Sequence, residues 1–119
     1  LKKKSDPRHL ERIKAMQELF AWSFASGQKP QSKLAQAAIR KLKVINPLIE
    51  KHAPTWPLET VSPLDLSILR LAIYELLFQK AKIPYKVVID EAVELGKEFG
   101  SEGTSSFVNG VLGAIVEKK

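Results

Sequence analysis

The sequence predicts an all-α fold. Apolar residues recur at three- and four-residue spacings along most of its length, no segment alternates as a half-buried strand would, and no Asn-Gly or Asp-Gly turn joins two alternating runs. Helix-start signals punctuate the same stretches, with Asp6 before Pro7 and Ser62 before Pro63 and Asp65.

The first helix is expected from Pro7 to Ser26, with Asp6 as its N-cap and Gly27 as its stop. Leu10, Ile13, Met16 or Gln17, Phe20 and Phe24 form its apolar stripe, and its other edge carries Arg8, Glu11, Arg12 and Lys14. Those cations crowd the positive end of the helix dipole, a local penalty of about 0.3–1 kcal/mol per charge that an anionic partner would offset. Ser32 caps a second helical stretch with the stripe Leu34, Ala38, Leu42, Ile45 and Ile49. Asn46 and Pro47 predict a kink there, or two abutting helices. Pro54, Trp56 and Pro57 force an irregular link.

From Ser62 to about Lys80 the apolar residues Leu66, Ile68, Leu69, Leu71, Ala72, Ile73, Leu76 and Leu77 cover most of the helix circumference, as expected of a helix surrounded by others. Arg70, Tyr74 and Glu75 are the exceptions. After Ile83 and Pro84 comes a helix with the stripe Val88, Ala92, Leu95 and Phe99, ending at Gly100. Ser101 and Thr104 are both candidate N-caps for a last helix with the stripe Phe107 or Val108, Val111 or Leu112, and Ile115, ending in Lys118 and Lys119. Gly110 and Gly113 inside it each cost about 1 kcal/mol against Ala, and close packing across a Gly-x-x-Gly face is the expected reason.

At 119 residues the chain is expected to be one domain, residues 1–119, with residues 1–6 as a flexible basic tail. No apolar run approaches a membrane span, and the polar stretch after Lys2, Lys3 and Lys4 does not suit a signal peptide. The absence of cysteine excludes disulfides, thiolate catalysis and zinc ribbons, and fits the cytoplasm. The net charge of +6 is unevenly spread. Residues 1–51 hold 12 Lys or Arg against 4 Asp or Glu, and residues 52–119 hold 7 against 9. That asymmetry suggests a polyanion-binding half on a mildly acidic body, against the plainer reading of a solvated basic tail.

Signs of catalysis are missing. His9 and His52 lie in different elements without a second ligand at metal spacing, so both are expected on the surface and neither metal nor cofactor is expected. Asp90, Glu91, Glu94 and Glu98 are expected to form a solvated acidic face opposite the apolar stripe. There is no P-loop, no GxGxxG and no GxSxG elbow. Trp22 and Trp56 are expected in the core, whereas Phe20 and Phe107 lie near the edges of their stripes, where an exposed ring can stack on a base.

Three segments, RHLERIKAMQELFAW, LDLSILRLAIYEL, and PYKVVIDEAVELGKEFGS with FVNGVL, closely resemble the NusB family of bacterial transcription antitermination factors. The resemblance covers nearly all of residues 8–117 and implies a compact helical bundle of two packed helical subdomains, here with an N-terminal half about one helix short between Gly27 and Trp56. It implies binding of the single-stranded boxA element of nascent ribosomal RNA together with NusE, a ribosomal protein of the small subunit, and through them recruitment to RNA polymerase.

The resemblance assigns RNA contacts to Arg8, His9 and Arg12, with Lys2, Lys3 and Lys4 as electrostatic support. His9 stands where the family usually has arginine, and Phe20 where it has tyrosine. Phe107 matches a further RNA contact, although Gly103 and Ser106 stand where an acidic and a basic or polar residue are common. Arg70 and Glu75 are the polar contacts implied for NusE, and Glu75 could otherwise pair with Lys80 or Lys82. Two rival readings are the RNA-binding domain of an rRNA cytosine methyltransferase, whose glycine loop and catalytic cysteine this sequence lacks, and a helical adaptor without RNA function.

Overall fold

The computed structural model describes residues 6–24, 28–53 and 57–117. Its elements are α1 (Pro7–Phe24), α2 (Lys33–Arg40), α3 (Leu42–His52), a single 3-10 turn (Leu58–Thr60), α4 (Pro63–Phe78), α5 (Tyr85–Phe99) and α6 (Thr104–Glu117). No strand occurs among the described residues. The tail Lys2 to Lys4, the expected stop at Gly27 and Trp56 lie outside them.

The expected caps form. Asp6 Oδ1 accepts from the Arg8 backbone N–H at 2.9 Å, Ser32 Oγ from Ala35 at 3.1 Å and Ser62 Oγ from Asp65 at 3.2 Å, each satisfying an otherwise orphaned helix donor. Thr104 is not a cap. It is the first residue of α6, and its buried hydroxyl accepts from the Ser101 backbone N–H at 3.0 Å while donating to Asp65 of α4 at 2.9 Å.

Helix α4 is the hub, in contact with all five other α-helices, and Ile68, Leu69, Leu71 and Ile73 are almost wholly enclosed. Helices α1 to α3 pack on one part of it, and α5 and α6 pair closely on another. The chain between Ser32 and Ala53 departs from expectation in where it bends. Pro47 lies inside α3, and the break falls at Lys41 instead. Both Pro47 and Lys43, whose carbonyl loses the Pro47 N–H, are exposed, so water can replace that bond. The turn at Lys41 redirects the chain from α1 and α4, which α2 touches, to α4 and α6, which α3 touches.

The glycine expectation is also corrected. A Cβ at Gly110 or Gly113 would meet nothing within 4 Å, so α6 does not use them for close packing. The α5–α6 approach depends on two other glycines: a Cβ at Gly100 would stand 2.5 Å from the Thr104 side chain, and one at Gly96 would stand 3.2 Å from the Ser105 backbone.

The buried face of α1 is rotated from the expected stripe. His9, Arg12, Ala15, Met16 and Leu19 point inward, while Leu10, Phe20 and Phe24 are exposed. Trp22, expected in the core, is half-buried.

Candidate nucleic-acid interface

His9 and Arg12 are three residues apart on α1 and share one helical face, which meets Glu75 of α4 and Glu91 and Glu98 of α5. His9 Nδ1 lies 2.9 Å from Glu91 Oε1, and His9 Nε2 lies 2.7 Å from Glu98 Oε1. Arg12 Nε donates to Glu75 Oε1 at 3.0 Å and Oε2 at 3.2 Å, and Arg12 Nη1 is 3.7 Å from Glu91 Oε1. Four of the five groups are buried: His9 (2% exposed), Arg12 (5%), Glu75 (4%) and Glu91 (6%).

A neutral imidazole carries one N–H, so it can donate to only one of two facing carboxylates. The geometry therefore suits the imidazolium. The Glu91 hydrogen bond, against the opposing effect of burial and with Glu98 adding to it, raises the His9 pKa above its ordinary 6.5. Burial pushes the Glu75 carboxyl above the usual range, with Arg12 pulling the other way.

Three expectations are corrected here. His9 is not a surface residue, because the two carboxylates across the helix interface take both ring nitrogens. The acids of α5 are not uniformly solvated: Asp90 is exposed, but Glu91 is buried and Glu98 half-buried against α1. Glu75 pairs with Arg12, not with Lys80 or Lys82, so a residue expected at RNA and one expected at a protein partner neutralise each other inside the fold. His52 is half-buried, its Nδ1 bonded to the Leu48 carbonyl at 3.0 Å.

Sequence reasoning places Glu91 and Glu98 on a solvated face and so misses their contact with α1. Their seven-residue spacing puts them two turns apart on one face, and the polar pair His9 and Arg12 has the matching helical spacing, which is the available signal.

The other expected site residues are placed as follows. Arg8 is exposed at the start of α1, and its guanidinium has no ion pair among the described residues. Phe20 is 37% exposed and packs edge-on against Phe24 at 5.0 Å between ring centroids. Phe107 is half-buried and lines a 190 Å³ depression with Thr60, Val61, Ser62 and Asp65. Arg70 is half-buried, its Nε donating to Asn46 Oδ1 of α3 at 3.1 Å, and burial lowers its pKa. Among the described residues no group of three or more His, Cys, Asp or Glu could hold a metal ion, and no helix is long and apolar enough to cross a membrane.

The model of the NusB family matches residues 28–117, which leaves α1 outside the matched range. The transcription antitermination protein NusB of Alkaliphilus oremlandii is 43% identical over 102 residues, covering 85% of this chain and 73% of the relative. That of Coxiella burnetii is 37% identical over 125 residues, covering 88% of each. The match to the protein of Caldicellulosiruptor saccharolyticus, 49% identical, spans 63% of that relative's length, and other matches likewise span less than two thirds. Among solved structures, T. maritima NusB superposes with a TM-score of 0.87 at 31% identity, covering 95% of this chain and 92% of that one. A chain from the crystal structure of antitermination factors NusB and NusE in complex with dsRNA superposes with a TM-score of 0.79 at 27% identity, covering 96% of this chain and 100% of that one.

Proposed function

Because the chain belongs to the NusB family, we propose that it is a transcription antitermination factor. It is a non-enzymatic, cytoplasmic adaptor that binds single-stranded boxA-like ribosomal RNA together with NusE and so joins the RNA polymerase antitermination complex. The observation that carries this reading is the likeness, over 96% of the chain, to a structure of NusB with NusE and RNA.

In this reading phosphates position the strand and bases specify it. Arg8, supported by Lys2, Lys3 and Lys4, meets the backbone, and the Phe20 and Phe107 rings offer faces to bases. Arg70 is the remaining polar candidate for NusE. His9, Arg12 and Glu75 act at one remove, by holding α1 on α4 and α5 so that Arg8 is presented to solvent.

A fluorescence titration of boxA-like RNA, with and without NusE, tests the proposal. Three or four phosphate contacts predict that log affinity falls with log salt at a slope of about −2 to −3. Arg8→Glu should weaken binding to every sequence, and Phe107→Ala should chiefly erode discrimination between boxA and scrambled RNA. Absence of binding in both conditions favours the adaptor without RNA function.

A further inference from the structure

Helices α1, α2 and α4 enclose an open groove of about 360 Å³, near the lower end of the roughly 300–1,000 Å³ typical of ligand pockets. Besides the buried Arg12, its lining includes three cations, Arg8 of α1 and Lys33 and Arg40 of α2. All three are exposed, and none is ion-paired among the described residues. Arg12 and Glu75 also line the groove, but their charges cancel against each other, which leaves Glu11 as its one exposed carboxylate among the described residues.

Tyr74 lies in the same lining, its ring stacked on Phe78 at 5.6 Å. Its hydroxyl oxygen already accepts from Gln79 Nε2 at 3.1 Å, so its own proton is available to a further acceptor. Leu34 adds an apolar wall, and beyond Arg40 the exposed Lys41, its Nζ 4.9 Å over the Phe78 ring, continues the positive tract.

We infer that this groove is a second docking site for the RNA strand, in which Lys33 and Arg40 extend the phosphate path that begins at Arg8 and Tyr74 donates a hydrogen bond. The inference rests on the RNA-binding reading above and adds α2 to it. A polyanionic strand is favoured over a discrete anion because the cations are spread over two helices and continue past the groove. It is favoured over an acidic peptide because Arg8 joins the groove to the proposed RNA face.

The test compares three variants with the wild type by titration with a labelled single-stranded RNA across a salt series. Circular dichroism confirms that each variant is folded. Lys33→Ala with Arg40→Ala should flatten the log-log salt slope by about 1.4, at about 0.7 per lost phosphate, returning it to the roughly −2 to −3 expected of the Arg8 face alone, and lower affinity roughly tenfold near 0.15 M salt. Tyr74→Phe keeps the ring on Phe78 and should cost about fivefold at an unchanged slope. The control, Lys51→Ala with Lys97→Ala, removes the same charge from exposed positions outside the groove and should leave the slope unchanged. An equal effect from the control pair would reduce the result to net charge and overturn the site. So would an α2 double variant that binds like wild type, or competition by poly-glutamate as strong as that by RNA. If the wild type itself fails to bind RNA, the RNA reading fails and the groove proposal with it. If it binds and only the α2 double variant is silent, the groove proposal fails alone.

Discussion

Arg12 and His9 occupy positions where an amphipathic helix ordinarily carries leucine, and the fold depends on what faces them. Removing Arg12 leaves Glu75 buried without its cation and takes a cation from near Glu91. Arg12→Ala should therefore lose about 3–5 kcal/mol in urea denaturation, whereas Arg12→Met combined with Glu75→Leu should recover most of that loss or exceed the wild type. An Arg12→Ala protein as stable as the parent would contradict the pairing. His9 makes the stability depend on pH in a defined direction. Its folded pKa is raised, so its contribution is complete below the unfolded value of about 6.5 and is lost as pH rises through the folded value. The groups facing it are Glu91 and Glu98 of α5, with Arg12 and Glu75 beside them. Denaturation midpoints measured from pH 6 to 9 should fall for the wild type, and His9→Gln should lack that component. Parallel profiles would remove His9 as the cause. The sequence made the period of α1 legible but not its phase. Leu10, Phe20 and Phe24 define one stripe and His9, Arg12, Met16 and Leu19 another, offset by one residue, and hydrophobicity alone favours the first. The second wins because carboxylates on two other helices solvate the polar pair, a long-range fact that no local window contains.

At the level of the helices, the two glycine pairs of the closing hairpin behave oppositely. Gly100→Ala would drive a methyl into the Thr104 side chain and disturb the hydroxyl that ties Ser101 to Asp65, costing about 1–3 kcal/mol by overpacking. Gly110→Ala and Gly113→Ala place a methyl in open space and should each stabilise α6 by up to about 1 kcal/mol. Thermal denaturation of the three variants separates these outcomes, and destabilisation by either α6 substitution would show that contacts other than propensity act there. Sequence reading placed the starts of α1, α2 and α4 well because a side-chain cap is a local device that acts within three residues. It misplaced the bend of the α2–α3 segment because Lys41 is no helix breaker. The turn there follows from the different neighbours of the two helices, whereas an exposed Pro47 can stay within α3.

Taken whole, the described residues form a hub helix wrapped by five others, and α1, α2 and α3 belong to the basic half of the chain. Binding a polyanion there stabilises the folded state by mass action, so RNA at 100 times its dissociation constant should add about 2.7 kcal/mol to the unfolding free energy. A thermal shift that grows with RNA concentration checks this, and a flat response counts against RNA binding by the folded form. The fold class was legible because helical periodicity runs through nearly the whole chain. Much less of the candidate site was legible, since its central contacts join residues from three helices. His9 and Glu91 are separated by 82 positions, which gives the clasp between α1 and α5 a place in time as well as in space. At synthesis rates of about 5–20 residues per second, roughly 4–16 s pass between the making of His9 and the making of Glu91. Until Glu75 and then Glu91 are made, α1 lacks the carboxylates that take Arg12 and His9, so its full docking is a late event in the assembly of the newborn chain.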